Sequence, residues 1–83
     1  MDKRLSVISI IIEDNTEAER VNELLHDFAE YIQGRLGLPC RDREHPVNVI
    51  CVVIDAPGDV TSALSGKLGM LRGVSTKTIT SKA

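Results

Sequence analysis

Two runs of β-branched, almost uninterrupted apolar residues constrain this chain more than anything else in it. They are Arg4-Leu5-Ser6-Val7-Ile8-Ser9-Ile10-Ile11-Ile12 and Val47-Asn48-Val49-Ile50-Cys51-Val52-Val53-Ile54. Such runs read as strands at the centre of a sheet. With 83 residues there is room for one domain and for helices over one sheet face only. A sheet covered on one side should alternate apolar and polar residues along each strand. These two do not. One face of the first carries Ile8, Ile10 and Ile12, and the other carries Leu5, Val7 and Ile11. In the second, Ile50, Val52 and Ile54 oppose Val47, Val49, Cys51 and Val53. The uncovered face therefore presents roughly six large aliphatic side chains, more than a monomer usually leaves in water. The expectation is a homo-oligomer, dimer or tetramer, joined through the sheet face or edge. The plainer alternative is that the central strands are simply very apolar.

The remaining segments supply the rest of the fold. Glu13-Asp14-Asn15 stops the first strand, and Thr16 followed by Glu19 has capping-box spacing, with Asn15 as a competing cap. A helix to about Tyr31 is expected, with Ala18, Val21, Leu24, Leu25, Phe28, Ala29 and Ile32 on one face. From Ile32 to Arg41 two glycines and Pro39 suggest a loop passing into an edge strand. Asp42 to Pro46 is a polar turn. Ala56-Pro57-Gly58-Asp59 ends the second apolar run and starts a second helix, whose stripe is Val60, Ala63, Leu64, Leu68 and Leu71. Gly73 then releases a last strand from Val74 to Thr80. The order β-α-β-β-α-β predicts an α+β, ferredoxin-like fold: a four-stranded antiparallel sheet with two helices on one face. Right-handed crossovers put the first and third strands in the centre.

Composition removes several function classes. A net charge of −2 gives no general attraction to nucleic acid. One Tyr, one Phe and no Trp leave no stacking platform for bases. No apolar stretch approaches the roughly 18 residues of a membrane span, and the N-terminus lacks the features of an export signal. A cytoplasmic protein with free thiols is expected, since Cys40 and Cys51 form no C-x-x-C pair and no disulfide framework.

Catalysis and metal binding are poorly supported. If the hairpin turns near Arg43-Glu44, Cys40 faces Val47 and Cys51 faces Leu36, four rungs or about 13 Å apart. One ion cannot bridge that distance within a chain, although an interface site stays open. The structural expectation is a core Cys51 and a surface Cys40, with His26 solvated on the polar helix face. Ser62, Ser65 and Thr61 have no base nearby in sequence. Acylphosphatases share this topology, but Glu13-Asp14-Asn15 stands where their phosphate loop lies and would repel phosphate. No enzyme activity, cofactor or metal is therefore expected. Arg35, Arg41 and Arg43 cluster between the first helix and third strand, beside Gly34 and Gly37. That segment suits a carboxylate or phosphate on a ligand or partner, or is an edge strand guarded by charge and proline.

Three segments resemble one known family. They are Arg4 to Ile12, Val21-Asn22-Glu23-Leu24-Leu25-His26, and Tyr31-Ile32-Gln33-Gly34-Arg35-Leu36-Gly37-Leu38-Pro39. With Leu64-Ser65-Gly66-Lys67-Leu68-Gly69-Met70-Leu71-Arg72-Gly73-Val74, they are similar to the iron-only hydrogenase system regulators. Gly-Arg-x-Gly-x-Pro is the most specific part. The resemblance implies an ACT-like regulatory domain over 1–83, similar to the C-terminal domain of nickel-responsive regulators and tied to the [FeFe]-hydrogenase system. Cys40 stands where the family has Tyr, and the nickel regulators' His/Cys ligand set does not occur here. With no DNA reader attached, regulation would act through a small molecule or protein partner. A metal sensor and a ligand-free structural subunit are the alternatives. ACT-like folds place effectors near the loop between the first strand and helix, here Asp14 and Asn15. The Gly34–Arg43 segment is the favoured second location.

Overall fold

The computed structural model describes residues 2–82. Four strands, β1 (Arg4–Ile12), β2 (Ile32–Cys40), β3 (Val47–Ala56) and β4 (Val74–Thr80), form one sheet in the order β2-β3-β1-β4. All neighbours are antiparallel. Two helices, α1 (Ala18–Asp27) and α2 (Gly58–Gly69), contribute to the core against the sheet. The ferredoxin-like expectation holds, with the two most apolar strands in the centre.

Register decides which side each residue serves. Ile8, Ile10 and Ile12 of β1 and Ile50, Val52 and Ile54 of β3 are buried in the core beneath the helices. Val21, Leu24 and Leu25 of α1 and Leu64 and Leu68 of α2 pack on them. Lys67 sits 5.6 Å from the Phe28 ring centre, across the gap between the helices. The opposite sheet face carries Leu5, Val7, Ile11, Leu36, Leu38 and Ile79, all exposed, and half-buried Val47, Val49, Cys51 and Val53. Cys51 thus lies on this outer face rather than in the core, because it pairs with Ser9 and Leu36, whose parity is outward.

Several local expectations are corrected. The cap is Asp14, one residue before Asn15 and two before Thr16. Asp14 accepts the Thr16 N–H at 3.0 Å and the Thr16 hydroxyl at 2.6 Å, which starts a 3-10 turn at Asn15–Glu17 before α1. Thr16 therefore donates to a side chain instead of capping a helix amide. The helix stops at Asp27, and a second 3-10 turn, Ala29–Tyr31, carries the chain to Ile32. Nothing in Ala29-Glu30-Tyr31 breaks a helix by propensity. The early stop is tertiary: Ile32 must reach Ile54 on the β3 edge. The segment from Ile32 is a strand from its first residue, with a bulge at Gln33. Ala63 is exposed and does not belong to the buried stripe of α2, whose third buried residue is Thr61.

Gly73 is the one described glycine at positive φ, +70°. A Cβ there would lie 2.7 Å from Asp14 Cβ and 3.1 Å from its backbone N. The Glu13 N–H donates to Gly73 O at 2.7 Å. This close approach fixes the β1–α1 loop against the start of β4.

Candidate functional site

The bulge in β2 sets the parity of everything after it. Arg35, Gly37 and Pro39 pair with Val52, Ile50 and Asn48, so they share the helix-side face. Leu36, Leu38 and Cys40 pair with Cys51, Val49 and Val47 and extend the apolar outer face. A helix-side face would ordinarily be apolar at these positions. Here it carries a guanidinium, a glycine and a proline. The result is a cleft of about 340 Å³ between α1 and the β2–β3 hairpin, lined by Asn22, Arg35, Gly37, Arg41 and Asn48 among others. Gly37 leaves its floor open, since nothing lies within 4 Å of the Cβ it lacks.

Two hydrogen bonds fix the walls. Arg35 Nη2 donates to Asn22 Oδ1 on α1 at 2.7 Å. Asn48 Nδ2 donates to Asn15 Oδ1 at 2.7 Å, which ties the hairpin to the turn before α1. Both partners are neutral amides. Among the described residues the one ion pair is Arg20–Glu23, at 3.1 Å on the exposed side of α1. Arg35 and Arg41 thus face one cleft with no carboxylate against them, and no acidic residue lines it.

The sequence candidates separate in space. Arg35, Gly37 and Arg41 line the cleft, and Asn15 braces its rim through Asn48. Gly34 is exposed beside the bulge and does not line the cleft. Arg43 lies in a separate hollow of about 450 Å³ with Glu13 and His45. Asp14 is held by Thr16, whose hydroxyl and N–H lower its pKa below the ordinary carboxylate value; the Arg72 charge adds a smaller pull. Its role in the fold is to cap the turn. Asn22 and Asn48 escaped the sequence reading. Their signal, polar residues next to buried ones, is too common to single out a residue.

Cys40 and Cys51 are free thiols, and no group of three or more His, Cys, Asp or Glu among the described residues is placed to hold a metal ion. No helix among the described residues is long and apolar enough to cross a membrane.

The profile of the family described as "TM1266-like: Iron-only hydrogenase system regulator, putative" matches residues 4–78. The chain belongs to this family. It is 43% identical to the uncharacterized protein TM1266 from Thermotoga maritima, whose solved structure superimposes with a TM-score of 0.87. That alignment covers 98% of this chain and 100% of the other. A more distant likeness is to CPII, a nitrogen regulatory PII-like protein from Thiomonas intermedia K12, solved with ADP, AMP and bicarbonate. It shares 16% identity and a TM-score of 0.55 over 94% of both chains, which is a likeness of fold. A second CPII structure, with ADP, AMP and acetate, has a TM-score of 0.55 at 14% identity, over 96% of this chain and 90% of that one. No curated protein sequence matches this chain.

Proposed function

We propose that this single-domain chain is a non-enzymatic regulatory module of the iron-only hydrogenase system, which works as a homo-oligomer and binds an anionic small effector in the α1–β2 cleft. The observation that carries the reading is the pair Arg35 and Arg41, two guanidinium groups in one cleft without a carboxylate partner. Guanidinium groups recognise carboxylates and phosphates with paired, charge-assisted hydrogen bonds. Asn22, Asn48 and Asn15 would complete the polar wall, with Gly37 as the open floor. Asp14, Gly34 and Arg43 would act at one remove, by shaping the loop and hairpin that hold those residues. The family's description as a regulator favours the non-enzymatic reading. The CPII neighbour, of like fold and solved with ADP, AMP and bicarbonate bound, supports the reading of an anionic ligand.

Assembly is supported by area. The chain exposes 5634 Å². A compact monomer of its mass should expose roughly 4,900 Å². The excess is close to the roughly 800 Å² that each partner buries in a stable interface. The outer sheet face leaves Leu5, Val7, Ile11, Leu36, Leu38 and Ile79 exposed, an apolar surface that a partner would cover. The metal-sensing alternative has no donor cluster behind it among the described residues.

Native mass spectrometry of untagged protein tests both parts, since it reads subunit number and any retained small molecule together. Arg35→Ala should lose the retained anionic species while keeping assembly and melting temperature. If Arg35→Ala instead splits the oligomer with the ligand still bound, the cleft is architectural and the site assignment fails.

A further inference from the structure

The end of the sheet remote from the α1–β2 cleft carries a second polar concavity, and its composition is anomalous for its position. β4 pairs with β1 so that Thr80 opposes Ser6, Thr78 opposes Ile8 and Thr76 opposes Ile10. Ile8 and Ile10 are buried beneath the helices, so the three threonines occupy the helix-side face where aliphatic side chains would pack. The helix above answers with hydroxyls: Thr61, Ser62 and Ser65 of α2 line the same hollow of about 560 Å³ as Ser6, Thr78 and Thr80. Some of these groups satisfy one another. Ser6 and Thr80 lie 2.9 Å apart, and Ser65 is 3.3 Å from both Thr76 and Thr78.

Thr61 does not fit that internal network. Its side chain is nearly fully buried, and its Oγ1 is the one buried side-chain polar atom among the described residues with no hydrogen-bond partner. An orphan of this kind calls for an explanation in a native fold. Two further features give the hollow a sign. α2 begins after Pro57 with no side-chain cap, so its first amides are not held by a side chain. Arg4 stands at the mouth and uses Nη2 on Ser81 O at 3.0 Å, which leaves other N–H groups of the guanidinium. Asp59, in the first turn, is not among the lining residues, and no carboxylate lines the hollow.

The geometry points to a second binding site, between the N-terminal half of α2 and the β1–β4 edge, for the phosphate group of a small phosphorylated metabolite. A tetrahedral phosphate presents several acceptor oxygens in different directions. Hydroxyls on two facing elements, the helix amides and one guanidinium match that arrangement better than they match a planar carboxylate. Ser6, which lines this hollow, and Ile12, which lines the Arg35–Arg41 cleft, are six residues or about 20 Å apart along β1. The site is therefore separate from the Arg35–Arg41 cleft and does not depend on it.

The test is a site-resolved amide NMR titration of the whole protein with inorganic phosphate, and with acetate at matched ionic strength. Phosphate should move the amides of Gly58, Asp59, Thr61, Thr78 and Thr80 saturably, and acetate should move them less. Thr61→Val keeps the side-chain shape and should weaken phosphate binding about tenfold. Arg4→Gln should weaken it severalfold. Arg35→Ala should leave these shifts unchanged, which separates this site from the cleft. Equal response to acetate would overturn the phosphate assignment. So would shifts confined to the cleft, or a Thr61→Val variant that melts higher yet binds phosphate as the parent does. In that last case the orphan hydroxyl is a packing flaw and not a ligand contact.

Discussion

Gly73→Ala isolates how the β1–α1 loop is held. The glycine sits at φ +70°, where a residue with a Cβ incurs roughly 1–2 kcal/mol. The added methyl would also meet Asp14 Cβ at 2.7 Å and Asp14 N at 3.1 Å. Both atoms belong to or adjoin the backbone of a capped turn, so neither can swing aside. The combined cost is about 2–4 kcal/mol. A domain of this size holds roughly 4–12 kcal/mol of stability. The loss corresponds to a fall in Tm of roughly 10–25 °C. Circular-dichroism melts at one fixed protein concentration measure it, because the proposed assembly would make Tm depend on concentration. Gly66→Ala is the matched control. That position lies within α2 with nothing within 4 Å of its absent Cβ. Relief of backbone entropy there should stabilise by ~0.5–1 kcal/mol. A Gly73→Ala variant within 4 °C of the parent, or a Gly66→Ala variant that melts lower, would refute the reasoning.

Val53→Lys places a charge in the middle of the outer sheet face and should reduce the proposed homo-oligomer to a 9 kDa species by light scattering; a parent of higher mass whose mass the substitution leaves unchanged would mean that the sheet face is not the interface. Asp14 has a lowered pKa, so its contribution is present above the ordinary carboxylate value of 3.8 and fades as pH falls through the lower native value. The urea midpoint of the parent should therefore exceed that of Asp14→Ala at pH 6 and converge on it in the acid range below 3.8; a gap independent of pH would contradict the capping role. The isolated chain should show no salt-sensitive, sub-micromolar binding to duplex DNA in an anisotropy titration, given a net charge of −2 and two aromatic residues.

Much of the architecture is written locally. β-branched runs make β1 and β3 strands whatever surrounds them, and their two-sided apolarity is visible in the residue order alone. Pro57-Gly58 and Gly73 punctuate the second half, so α2 and β4 lie where the sequence places them. Arg35, Gly37 and Arg41 stand out by type and spacing, and the fold brings those three into one cleft. What the chain could not announce is every feature that depends on residues distant in sequence. Asn22 meets Arg35 across 13 positions and Asn15 meets Asn48 across 33, contacts that exist only once the hairpin has docked on α1. The end of α1 at Asp27 follows from the reach to β3, not from any helix breaker. The bulge at Gln33 decides that Arg35 faces the helices while Leu36 faces outward; a one-residue slip would exchange them. The same logic governs β4, whose alternating threonines read as an ordinary edge strand until the pairing of Thr80 with Ser6 turns them under α2. Propensity and patterning act over a few neighbouring residues, whereas parity across a sheet is set by strand register, and register is settled only when the strands pair.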